Sequence, residues 1–265
     1  TLSESVYQRM LCTENFSQFG IFSYVWGKLY KRELLLHHQL KVDDGIHIGE
    51  DAACLYPLLL DANSVYISDE AFYHYRQRTD SLIKTRDPFE VLKLKRLYKF
   101  LSEEFLASRC AQSLLNQLER FVVSLLIVRL DLKVNEELYG TTLIPFANIR
   151  EGSKVAIYGA GTFGQHLVRQ IQDSGTVDQV AWVDPLCSNY NKLGLTVEPP
   201  NSLQNKVYDY VLVAFVDELI ANKVVMKLSA MAISSSKIVT INYGSDFNRR
   251  LLGLWCFDQE RLTLV

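Results

Sequence analysis

Two groupings in this 265-residue chain have residue types and spacing suited to chemistry. The first is Gly159-Ala160-Gly161-Thr162-Phe163-Gly164, a G-x-G-x-x-G turn, with Asp184 standing 20 positions beyond its last glycine. Where such a turn follows a strand and opens a helix, it holds a phosphate. The first glycine (Gly159) permits the tight turn, the second (Gly161) lets backbone approach the anion, and the third (Gly164) lets the helix pack on the strand. The helix start at Thr162 and Phe163 would then turn unpaired N–H groups and a positive dipole end toward a diphosphate. Asp184 would accept hydrogen bonds from a ribose or sugar hydroxyl. The alternative is that the glycines serve strand-to-helix geometry alone. The second grouping is Glu50-Asp51 after Gly49, two acids where a helix starts, a place the helix dipole favours. His47, near Glu50, and His74 have the chemistry of metal ligands, but a packed or exposed histidine is the simpler reading. Asp43-Asp44 reads as a turn rather than a metal-binding D-x-D, so no metal ligand is assigned in the chain.

The elements that must position these residues follow from periodicity. Lys154–Tyr158 is a short β-branched run leading into the glycine turn, and a helical stretch continues to about Asp173. Gln179–Asp184, Tyr208–Phe215 and Lys237–Ile241 read as further strands, with a helix over Asp217–Ala230. Strands alternating with helices predict a parallel sheet with right-handed crossovers. From Pro88 to about Leu138, apolar residues recur at helical spacing (Leu94, Leu97, Tyr98, Leu101, then Leu114, Leu115, Leu118, Phe121, Val122), which predicts two or three helices. Asp87-Pro88 marks their start. Earlier, Ser3 with Tyr7, Met10 and Leu11 suggests a capped opening helix, and Tyr24–Leu36 a helical or turn-helix stretch. Ala52–Leu60 reads as a buried helix in which Pro57 belongs in the first turn or at a kink. Val65–Ile67 and Ala71–Arg76 read as strands.

Composition narrows the classes. Apolar residues are 48% and charged residues 22%, with 13 Gly and 6 Pro, so collagen-like, low-complexity and wholly disordered chains are excluded. A net charge of -2 supplies no field to recruit nucleic acid. The five cysteines are too widely spaced for a C-x-x-C metal pair or a dense disulfide frame, so a reduced, cytoplasmic thiol set is expected. The longest apolar tract, Phe121–Val128, falls well short of the roughly 20 residues that span a bilayer. Peripheral contact with a membrane stays open, as does the oligomeric state. The opening residues lack the basic and apolar regions of a signal peptide.

Three blocks in the first third of the chain carry a resemblance. Trp26-Gly27-Lys28-Leu29-Tyr30, then Gly49-Glu50-Asp51-Ala52, then Ala71-Phe72-Tyr73-His74-Tyr75-Arg76-Gln77-Arg78-Thr79-Asp80-Ser81 resemble, in order and spacing, the later half of a bacterial family 2 glycosyltransferase. The resemblance covers about residues 1–88. It implies an inverting GT-A transferase that moves a sugar from a nucleotide-diphosphate donor to a hydroxyl of a surface-polysaccharide acceptor. Asp51 would be the catalytic base, effective with a pKa near the operating pH. Glu50 would hold the acceptor or raise that pKa by like-charge proximity. Trp26 would offer a flat platform for a sugar ring, Lys28 would lie near the acceptor, and Arg76 and Arg78 would meet the leaving diphosphate. Residues from Gly152 to Gly244, including Leu193–Pro200, are similar to small Rossmann domains of sugar acyltransferases and sugar methyltransferases. That resemblance makes a nucleotide-sugar as suitable a ligand as NAD(P). Hydride transfer is not expected, because no Tyr-x-x-x-Lys relay or following substrate domain is visible.

The expected architecture is therefore α/β: an incomplete GT-A acceptor half (1–88), a helical connector (89–148), a small parallel-sheet Rossmann-like domain (149–245) and a carboxy-terminal tail (246–265). A family 2 transferase also carries a donor-binding half whose D-x-D motif holds Mg²⁺ or Mn²⁺. No such half precedes Thr1, so the expectation is a carboxy-terminal portion of a parent enzyme, inactive alone. The rival expectation is a nucleotide or nucleotide-sugar binding or regulatory module without catalysis.

Overall fold

The structure, a computed structural model, describes residues 4–74, 89–129, 146, 149–241, 244–254 and 257. Among them are nine α-helices and one four-stranded, all-parallel sheet, a mixed α/β architecture consistent with a Rossmann-like fold. The described residues divide into two compact units. One draws on 1–14, 18–123 and 249–265, the other on 15–17 and 124–248. No helix among the described residues is long and apolar enough to cross a membrane.

The first unit contains α1 (Glu4–Tyr7), α2 (Arg32–Gln39), α3 (Glu50–Asp61), α4 (Glu90–Leu106) and most of α5 (Ala111–Arg129). The opening helix is shorter than the apolar pattern suggested, and Met10 and Leu11 are buried beyond its end. Gln117, itself buried, explains why. Its Oε1 accepts from the N–H groups of Leu11 and Cys12, and its Nε2 donates to the Tyr7 carbonyl at 2.8 Å. A polar side chain thus takes up backbone groups that a longer helix would have paired internally. Helix α3 runs through Pro57, although the ring removes the donor for the Ala53 carbonyl. Every residue from Ala52 to Leu59 is buried, and that packing holds the helix together across the missing bond. Tyr56 hydrogen-bonds the Ile21 carbonyl at 3.1 Å and meets Phe121 edge-on. Val65–Ile67 and Ala71–His74, expected as strands, are irregular and exposed, with no strand partner among the described residues. The apolar period read over α4 and α5 is the buried face of both, through Leu94, Leu97 and Leu101, then Leu114, Leu118 and Val122. The last stretch is not featureless. The end of α9 (Ser245–Leu254) buries Leu251 and Leu252, and Phe257 packs edge-on against Tyr98 of α4.

The second unit is the parallel sheet, with β1 (Lys154–Tyr158), β2 (Asp178–Val183), β3 (Tyr210–Val213) and β4 (Ile238–Val239) in the order β2-β1-β3-β4. Helices α6 (Thr162–Ser174), α7 (Cys187–Lys192) and α8 (Glu218–Ala230) connect them. Four consecutive residues of β1, Val155–Tyr158, are buried, as a central parallel strand covered on both faces requires. The core joins Ala156, Tyr158, Val183, Val211 and Val213 of the sheet to Ala221, Val224 and Leu228 of α8. The chain leaves β1 toward β2 on one side and returns past it to β3 on the other. The order therefore reverses between β1 and β3, the place where open α/β sheets take ligands, beyond the carboxyl ends of the strands.

Candidate functional site

In the first unit, Asp51 sits in the opening turn of α3, half-buried. Gly49, the residue before the helix, has φ +77°, and a Cβ there would stand 2.5 Å from Leu97 Cδ2. Glycine accepts that left-handed conformation and lets the acid-bearing end of α3 approach α4. The Asp51 carboxylate accepts the Val25 N–H and faces the Lys28 ammonium. Burial nevertheless holds its pKa above the ordinary carboxylate value, with the Val25 N–H and Lys28 only partly opposing that rise. Burial, rather than the exposed Glu50, is thus the cause of the shift. Lys28 is depressed by the same desolvation, opposed by Asp51, and its ammonium donates to the Phe22 and Tyr24 carbonyls. Tyr30 lies close by, its hydroxyl donating to the Val25 carbonyl at 3.1 Å. Its pKa is pushed up to about 12 by burial, with the charges of Cys54 and Asp51 acting in the same direction.

Aromatic rings extend this site. Trp26 stacks on Tyr24 at 4.4 Å and on Tyr73 at 5.0 Å, and Tyr24 stacks on Phe22 at 5.3 Å. Phe22 and Tyr73, each 53% exposed, are more open than Tyr24 at 39%, and Trp26 is partly covered between Tyr24 and Tyr73. The three resembling blocks therefore converge: Trp26 and Lys28 from the first, Asp51 from the second, Tyr73 from the third. The resemblance assigns no role to Tyr24, Tyr30 or Tyr73. The alternation Phe22, Tyr24, Trp26 was a visible signal, since a period of two places residues on one side of an extended segment. Arg76 and Arg78 lie outside the described residues. Asp43 Oδ1 accepts the Gly45 N–H at 2.6 Å, which closes a turn. Asp43-Asp44 accordingly does not fit a diphosphate-bound Mg²⁺ or Mn²⁺.

In the second unit, the glycine turn has the geometry its spacing implied. Gly159 has φ +118°, and a Cβ on it would lie 2.9 Å from the Phe215 ring. A Cβ on Gly164 would fall 2.0 Å from the Gly159 carbonyl oxygen, so α6 and β1 touch backbone to backbone there. Gly161, by contrast, is exposed, extended and open, with nothing within 4 Å of a Cβ. It precedes α6 without a side-chain cap, whereas the α8 start is closed by Asp217, which accepts from Leu219 and Ile220. Of the two helix starts at the crevice, that of α6 keeps its donors for an anion. Thr162 is exposed beside it; Phe163 is buried and stacked on Phe146, a packing residue.

Asp184 is only 5% exposed, and its carboxylate is already engaged. Oδ2 accepts the Ala160 N–H at 2.8 Å and Oδ1 the Leu186 N–H at 2.7 Å. Trp182 Nε1 donates to the Gly159 carbonyl at 2.9 Å. Asp184 therefore clamps the glycine turn to the end of β2, a positioning role, with one lone pair on each oxygen left over for a further donor. No family model matches the chain, and neither a curated protein nor a solved structure matches it significantly.

Proposed function

We propose that the first unit carries the acceptor side of an inverting glycosyltransferase, which moves a sugar from a nucleotide-diphosphate donor to a hydroxyl of a surface-polysaccharide acceptor. The observation that supports this reading is the meeting of Asp51, Lys28 and the Trp26–Tyr73 stack, which joins three separated sequence blocks at one helix start. In this reading the acceptor sugar lies against Tyr73, and Lys28 orients one of its hydroxyls. Asp51 takes the proton of the attacking hydroxyl as its oxygen bonds to the anomeric carbon. The bond from that carbon to the diphosphate oxygen breaks on the opposite face, and the diphosphate leaves with the electron pair. A base whose pKa is raised by burial holds the proton more firmly, as general-base catalysis near neutrality requires. The test is turnover of nucleotide-diphosphate sugars by the natural full-length protein, with the product's anomeric configuration read by NMR. Inverted product is expected; retained configuration, or no transfer to any glycan acceptor, rejects the proposal.

The second unit supports a separate reading as a binding module for a nucleotide or nucleotide-sugar, with NAD(P) as a further candidate. The uncapped start of α6 at the sheet's switch point favours it. Ligand at 100 times its dissociation constant would add about 2.7 kcal/mol of stability. A thermal-shift series with UDP-sugars, NAD and NADP is therefore decisive: a rise in Tm supports the module, and no rise with any of them leaves the turn as geometry alone.

A further inference from the structure

We propose that His37, His38 and Asp61 form a binding site for a divalent transition cation of the zinc type, on the first unit and independent of the transferase reading. One ligand atom from each lies within 4.8 Å of the others, and His38 Nε2 is 3.0 Å from Asp61 Oδ2. The two imidazole rings are 5.0 Å apart and perpendicular.

The environment of His38 points to a ligand. It is 2% exposed, yet neither of its ring nitrogens makes a hydrogen bond. Asp61 stands near Nε2 at contact distance but outside the geometry an N–H···O bond needs. A buried polar nitrogen left without such a bond is destabilising, and coordination to a cation relieves it. The Asp61 carboxylate is 58% exposed and His37 is exposed, so both can rotate to close the longer separations. Zinc binds imidazole nitrogen at about 2.0–2.1 Å and carboxylate oxygen at about 2.0–2.2 Å, which puts paired ligands roughly 3.3 Å apart, close to the His38–Asp61 spacing.

Two further features agree. His37 and His38 lie in the last turn of α2, and Asp61 is the last residue of α3, so two helix carboxyl ends, each with a partial negative charge, converge on the site. Burial lowers the pKa of His38, with His37 and Lys41 acting in the same direction and Asp61 opposing. Two imidazoles and one carboxylate select zinc, cobalt, nickel or copper over Mg²⁺, and three protein ligands leave a position for water.

The test titrates the full chain with Co²⁺, read by its visible absorption, and with Zn²⁺ by competition dialysis. Because His38 is buried and its removal can disturb folding, the variants are the exposed His37→Ala and Asp61→Ala. The expected result is one saturable site in the wild type, weakened at least tenfold by each substitution, and a zinc-dependent rise in Tm that both variants lose. Absence of saturable binding in the wild type, or affinities within threefold of it in both variants, overturns the proposal.

Discussion

Replacing Gly164 by alanine separates what the glycine turn does for the fold from what it does for a ligand. The new Cβ would lie 2.0 Å from the Gly159 carbonyl oxygen and 2.9 Å from its carbon, both backbone atoms that no rotamer change can move. Ordinary contact begins near 3.4 Å, so α6 must shift by more than an ångström from β1, drawing Leu167, Val168 and Ile171 partly off the sheet. Overpacking of this kind costs about 3 kcal/mol at the upper end of its usual range. Alanine in a helix recovers about 1 kcal/mol over glycine, leaving a net loss of about 2 kcal/mol. For a unit of this size each kcal/mol moves Tm by about 4 °C, so differential scanning calorimetry should show a fall of about 8 °C. Gly161→Ala is the control, because its position is extended and open. Its Tm should stay within about 2 °C of wild type, since the loss at the helix start and the entropy gain nearly cancel. A Gly164→Ala protein as stable as wild type, or a Gly161→Ala protein destabilised equally, would refute the close helix–strand approach.

Three other outcomes follow. Asp184→Asn should destabilise the second unit by about 1.5–3 kcal/mol, because an amide nitrogen would confront the Ala160 or Leu186 N–H in place of an accepting oxygen; urea unfolding checks this. Asp51→Asn should raise stability at pH 7. A carboxyl whose folded pKa is raised contributes stability below its unfolded pKa and loses it as pH rises through the folded value, so the variant's advantage should appear in melts at pH 7 and vanish near pH 3. His38 has the opposite sign. Its lowered folded pKa gives stability above the unfolded value that is lost as pH falls through the folded one, so metal-free wild type should weaken between pH 7 and pH 5 more steeply than His38→Leu.

The legibility of the fold in the sequence varied with the physics of each element. Strand β1 has the bounds read for it, Lys154–Tyr158, because a continuous apolar run ending at a glycine turn is a local signal. Helix α7 was missed because Cys187–Lys192 buries no residue and so has no apolar period to show. Val65–Ile67 has the β-branched and aromatic composition of a strand, but a strand exists by its ladder, and these residues have no partner among those described. At the sites, spacing gave the positions and withheld the uses. Asp184 was found by its distance from Gly164, while its commitment to the Ala160 N–H depends on how the turn folds back on β2. Asp51 was found by its place after Gly49, while its raised pKa is a tertiary effect of burial beside Val25 and Tyr30. Phe163 lay inside the motif and belongs to the core.

The central claim is that Asp51 is the base of a glycosyl transfer, and the rate of acceptor-dependent nucleoside-diphosphate release by the natural full-length protein tests it most directly. General-base catalysis contributes about 10²–10⁴-fold, so Asp51→Asn should lower kcat by that factor while the folded protein is at least as stable as wild type at pH 7. Transfer by the Asp51→Asn protein within tenfold of the wild-type rate would contradict the account.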